Sequence, residues 1–193
     1  MTGEDEWLAF AGVLLDVVLA HFRDGHGGFF DTADDAEQLV RRPRDPSDNA
    51  APSGWLAAAQ ALLTYASLTG IAEHREAAEQ ALGVVTEFAE RAPRAVGWGL
   101  AAAEGLVDGP REIAVIGESG DPRTGDLHRL ALLSTAPGAA VAVGPPGSSV
   151  PVLRDRSLIN GAPAVYICRH FTCDAPLTSP EEAARALACR AWA

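Results

Sequence analysis

Lysine is absent from this sequence: all 15 basic residues are arginine. Schiff-base chemistry through a lysine, and a phosphate-binding loop that depends on one, are therefore excluded within this chain. Cysteine is scarce. Cys168, Cys173 and Cys189 are odd in number and crowd into one corner, which is not the framework of a disulfide-stapled secreted domain and suits a reducing compartment. Long hydrophobic runs are also missing, since none approaches the roughly 18 apolar residues of a membrane span. No membrane partner is expected. The opening "MTGEDEWLAF" is acidic where an export signal is basic, so a cytoplasmic location is expected. With 26 acidic residues against 15 basic ones the formal charge is −11, which repels a phosphate backbone. Nucleic acid is not an expected partner.

What is present is a chain of 193 residues, 48% hydrophobic, long enough to bury a real core. From Glu4 to about Arg23, Leu8, Val13 or Leu14, Val17, Val18 and Phe22 recur at the spacing of one helix face, with Thr2 as cap and Glu4, Asp5 and Glu6 as first-turn acids. "AEQLVRRPRDPSDNA" carries Pro43 and Pro46 and reads as an extended excursion or short hairpin. Helical spacing resumes at Ser53, with Trp55, Ala59, Leu62, Leu63 and Ala66 inward and a stop at "LTG". A third helix is expected over Ala72 to about Glu90, with Ala77, Ala81, Val84, Val85 and Phe88 inward, and a fourth between Pro93 and Gly109. Small residues in the fourth allow close helix approach, so antiparallel hairpins are expected.

At Pro110 the period changes. "REIAVIG", "DPRTGDLHRLALLS" and "GAAVAVG" read as strand, helix and strand, a β-α-β unit. "AVYIC" reads as a third strand. "SPEEAARALAC" is a final helix with Ser179 as cap, Pro180 first and Glu182 three on. The expected fold is mainly α with a C-terminal α/β part, divided as helical hairpins over 1–109 and a small α/β subdomain over 110–193.

Six stretches, "GGFFDTADD", "RPRDPSDNAAPSG", "LLTYASLTG", "HREAAEQAL", "REIAVIG" and "VYICRHFTC", resemble the C-terminal region of the YyaL-like and spermatogenesis-associated thioredoxin-domain-containing proteins. The resemblance covers nearly the whole chain in order. It implies the end of an (α/α)6 toroid, similar to that of N-acylglucosamine 2-epimerases and six-hairpin glycosidases. The thioredoxin-like domain and most toroid hairpins have no counterpart here, so redox activity of that domain does not carry over. Where the family has a polar pair after "PSG", this chain has Trp55 and Leu56.

In a toroid, loops between helices form the mouth of a cavity, and "GGFFDTADD" suits such a rim. Phe29 and Phe30 offer flat apolar surface to a sugar, Asp31, Asp34 and Asp48 offer carboxylates, and Arg42 and Asn49 offer polar contacts. Each has a plainer role: Phe29 and Phe30 as core plugs, and Asp48, Asn49 and Ser53 as turn and cap residues. Cys168, His170 and Cys173 form C-x-H-x-x-C, short of the four ligands of a structural zinc site, so no metal is expected. The two cysteines read either as buried strand thiols or as a reversible disulfide pair. "IGESGD" lacks the glycine spacing of a phosphate cradle, and no cofactor is expected. His21, His26, His74 and His128 sit at no motif spacing and take surface or packing roles. Two functions stand: a non-catalytic structural or interaction module, completed by missing N-terminal domains or self-association through exposed hairpin faces, and a carbohydrate-handling pocket, epimerase- or glycosidase-like.

Overall fold

In the computed structural model, which describes residues 4–187, helices come first and a mixed sheet follows. Helix α1 (Asp5–His21) opens on Asp5 and Glu6, whose negative charge suits the positive end of the helix dipole. Glu4 occupies its N-cap position, while Thr2 lies outside the described residues. Helix α2 (Gly54–Thr69) is capped by Ser53, whose Oγ accepts from the Leu56 N–H at 3.1 Å. It stops at Gly70, in the left-handed region at φ 79°.

The single helix expected over 72–90 is two, α3 (Ala72–Leu82) and α4 (Val84–Phe88), parted at Gly83. Glycine is the weakest helix former there apart from proline, and the sequence pattern runs through it unmarked. A 3-10 turn (Pro93–Val96) then leads into α5 (Gly97–Asp108). The close approach expected of its small residues is present. A Cβ at Gly99 would lie 2.7 Å from Val85 Cγ2, and one at Gly105 would lie 2.8 Å from the Gly138 Cα.

Strand β1 (Arg111–Ile116), helix α6 (Pro122–Leu132) and strand β2 (Ala140–Gly144) make the β-α-β unit, with β1 and β2 parallel. Strand β3 (Ala164–Arg169) pairs antiparallel with β1, and the two-residue β4 (Thr172–Cys173) pairs antiparallel with β3. The sheet order is β2-β1-β3-β4. Helix α7 (Pro180–Leu187) begins where the cap signature places it, with the Glu182 N–H donating to Ser179 Oγ at 3.4 Å.

Two layers of helices sandwich this sheet. Ala114 and Ile116 of β1 and Ala140 and Ala142 of β2 pack with Leu8 of α1, Leu68 of α2 and the loop residues Val150, Val152 and Leu153. The alternate residues Ile113 and Val115 pack with Leu127 and Ala131 of α6 and with Ala183 and Leu187 of α7. Every β1 residue is consequently buried, as expected of a strand covered on both faces. A second core lies within the helices, where Trp55, Leu56, Ala59 and Leu62 of α2 meet Ala77, Ala78 and Ala81 of α3 and Val85 and Ala102 beyond. Trp55 and Leu56, the departures from the polar pair, are therefore core residues, and the Trp55 indole N–H donates to the Ala81 carbonyl at 2.9 Å.

Helix α1 departs from expectation in which face it buries. Leu8, Gly12 and Leu15 are buried and Val18 and Phe22 are partly so, whereas Val13, Leu14 and Val17 are exposed, together with Trp7 and Phe10. The cause is that α1 is apolar nearly all round, so spacing alone does not select a face. Contact with α2 selects it.

Candidate functional site

The loop after α1 is built on a carboxylate. Asp24 Oδ1 accepts from the His26 and Gly28 N–H groups at 2.7 and 2.8 Å, and its other oxygen pairs with Arg44. Burial pushes the Asp24 pKa up, but the two N–H donors and Arg44 outweigh it and hold the carboxyl below the usual range. Gly27 turns the chain at φ 96°, and the Arg23–Phe29 bridge folds the segment back. Phe29 then enters the core, 2% exposed, and Phe30 stays half-buried.

Each proposed rim residue has a definite place. The Arg42 guanidinium carbon lies 4.1 Å from the Phe30 ring centroid, and Arg42 Nη2 donates to the His21 and Thr32 carbonyls. Asp34 Oδ1 is 2.7 Å from His21 Nδ1, with Asp35 at 3.7 Å. This bond raises the His21 pKa and lowers that of Asp34. Asp31 is exposed, its carboxyl raised by partial burial and by the charge of Asp45. Asp48 is engaged at both oxygens: Oδ1 accepts from the Ser53 N–H at 2.9 Å and Oδ2 from the Trp98 N–H at 2.8 Å. Asn49 is exposed and its N–H donates to the Ala51 carbonyl at 3.0 Å.

So Phe30, Asp34 and Arg42 gather at the C-terminal end of α1, Asp31 stands near Asp45, Asp48 ties the entries of α2 and α5, and Phe29 is a core plug. The His21–Asp34 contact carries no signal in the sequence, where the two lie thirteen positions apart at no motif spacing. His21, Asp34 and Asp35 offer one histidine nitrogen and two carboxylate oxygens within 4.8 Å of one another. Both acids are exposed, and three ligands fall short of a closed structural zinc site.

Two further places carry chemistry. Between α1 and α2 runs an apolar groove of about 650 Å³, lined by Trp7, Leu8, Leu14, Leu15, Tyr65 and Trp98 among others. At the sheet edge, Cys168 and Cys173 are joined by a disulfide, directly opposite each other across β3 and β4. Free buried thiols were one of the two sequence readings. The structure instead bonds a buried Cys168 to an exposed Cys173. Cys189 lies outside the described residues.

These elements define a mainly α protein with an α/β part, and among the described residues no helix is long and apolar enough to cross a membrane. No protein-family model matches the chain. It is 28% identical over 195 residues to Spermatogenesis-associated protein 20 of Rattus norvegicus, across 93% of this chain. That is a distant homology to part of the relative, of which the chain spans about a quarter (24%).

Proposed function

We infer that this chain is a non-catalytic structural and interaction module, of the kind that closes a ring of helical hairpins. The observation that carries the reading is the outer face of α1. Trp7, Phe10, Val13, Leu14 and Val17 are 63, 56, 60, 51 and 44% exposed, and beside them lies the α1–α2 groove. Scattered exposed hydrophobics are ordinary, but five on one helix beside an apolar groove mark a packing surface. A toroid hairpin buries both flanks, and the resemblance to the thioredoxin-domain-containing proteins supplies the neighbours: further helical hairpins. Its corollary is a cytoplasmic partner surface that self-associates when those hairpins are absent. Sedimentation of the full chain over a micromolar range checks this, with concentration-dependent association and binding of an apolar-surface dye as the expected result. A clean monomer without dye binding would overturn the reading.

The carbohydrate-handling alternative draws less support. Arg42 covers a face of Phe30, Phe29 is in the core, and Asp48 has both oxygens committed to backbone donors.

A further inference from the structure

The corner of the sheet edge holds more than a bridge between strands. Arg156 Nη2 lies 3.2 Å from Cys168 Sγ and 3.1 Å from Cys173 Sγ, so a single guanidinium nitrogen touches both sulfurs. Opposite Cys168 in the β1–β3 register stands Glu112, fully buried; its Oε2 accepts from the Phe171 N–H at 3.0 Å. Tyr166 completes the wall, its ring centroid 5.9 Å from the Arg156 guanidinium and its hydroxyl donating to the Ser157 carbonyl at 2.8 Å. Beside Arg156, Tyr166 and Cys173 opens a pocket of about 500 Å³ whose lining also includes Arg154, Asp155 and Asp174, while Cys168 and Glu112 lie buried and do not line it. The connection between β3 and β4 is a two-residue turn, His170–Phe171, with both residues left-handed at φ 50° and 62°. Such turns favour Asn-Gly, so contacts elsewhere hold this one: the Glu112 bond, the Arg75–His170 contact and the packing of the Phe171 ring beside Gly70.

A bridge that served only to staple the hairpin would need neither a cation on its sulfurs nor a pocket. We propose that Cys168–Cys173 is a reversible thiol–disulfide exchange site: Cys173 is the sulfur attacked by an external dithiol, and Cys168 is the leaving thiolate stabilised by Arg156. Exposure decides the order, because Cys173 reaches solvent and Cys168 does not. A thiolate of the dithiol attacks Cys173 Sγ, the Cys168–Cys173 bond breaks as a mixed disulfide forms, and the electron pair leaves on Cys168 Sγ beside Arg156. The second thiol of the reductant, deprotonated in turn, attacks its own sulfur in the mixed disulfide and expels Cys173. The reductant is oxidised by two electrons to a disulfide, and the two protons it loses end on Cys168 and Cys173. A nearby cation favours a thiolate, and the arginine remains charged even where burial opposes it. Burial holds the Arg156 pKa below its ordinary value, and interactions with Glu112, Tyr166 and Asp155 oppose only part of that shift.

A dithiol is specified for a physical reason. After a monothiol attacks Cys173, Cys168 remains in place on the neighbouring strand, at high effective concentration, and re-forms the bridge. Only a reductant with its own second thiol competes.

The test uses the full chain in a Cys189→Ser background, so that only the pair is counted by alkylation and mass. Dithiothreitol is expected to reduce the pair with the far-ultraviolet spectrum retained, and faster than it reduces the same chain in denaturant. Glutathione at equal thiol concentration is expected to leave the bridge in place. Arg156→Gln should slow native reduction by about tenfold or more, with Arg156→Lys recovering part of the rate. Three results would each overturn the proposal: reduction of the native chain no faster than in denaturant, reduction by glutathione as readily as by dithiothreitol, or an unchanged rate in a folded Arg156→Gln chain. The comparison of native and denatured rates needs no variant, so it decides even if Arg156→Gln fails to fold.

Discussion

Asp48 and Asp34 are both loop carboxylates, but Asp48 holds two backbone N–H groups while Asp34 holds an imidazole. Asp48 accepts the Ser53 and Trp98 N–H groups, so Asp48→Ala strands two donors at the starts of α2 and α5 and should cost about 1–3 kcal/mol. Asp48→Asn keeps one oxygen acceptor and should cost less, as thermal unfolding of the two variants would show. The His21–Asp34 pair acts through pH instead. His21, with its pKa raised, contributes stability that is present below the ordinary imidazole value and lost as pH rises through the folded one. Asp34, lowered, contributes stability that is lost as pH falls through its folded value. The pair is strongest between those limits, and Asp34→Asn should return the His21 titration, followed by NMR, toward the ordinary imidazole value. Asp31 runs the other way: its raised pKa means that the charged form is disfavoured by folding, so Asp31→Asn should leave the melting temperature unchanged or higher at neutral pH.

At the level of elements, α2 is the hub. One of its faces meets α3 and α5, while Leu68 near its end reaches the sheet core. Leu62, fully buried at its middle, should cost about 2–5 kcal/mol when cut to Ala, measured by denaturant unfolding. The α5–sheet connection depends on glycine contact. Gly105 and Gly138 pack backbone to backbone, and Gly138 is left-handed at φ 64°. Gly105→Ala gains helix propensity but forces the Pro137–Gly138 loop outward, and the overpacking should win by about 1–3 kcal/mol.

Across the whole molecule the unusual surface is α1. Because Trp7 and Leu14 are exposed, replacing both with Glu should leave the melting transition nearly where it is and abolish self-association in sedimentation. Both core clusters that α1 touches are reached through Leu8 and Leu15, which these substitutions leave intact.

Element type and order were legible from local rules: the 3.6-residue period before Gly109, the change at Pro110, the Ser53 and Ser179 caps and the Gly70 stop each depend on neighbours in sequence. The β-α-β unit followed for the same reason, since a strand, a helix and a strand of those lengths pair in parallel. Four things lay beyond local rules. Gly83 breaks a helix whose apolar pattern continues through it, and α1 buries Leu15 rather than Leu14 because α2 is its neighbour. His21 meets Asp34, and Arg156 meets two cysteines, only because loops fold back across 13, 12 and 17 residues. Local spacing determines which residues share an element; which faces are covered, and which charges meet, is decided by contacts that only the packed chain makes.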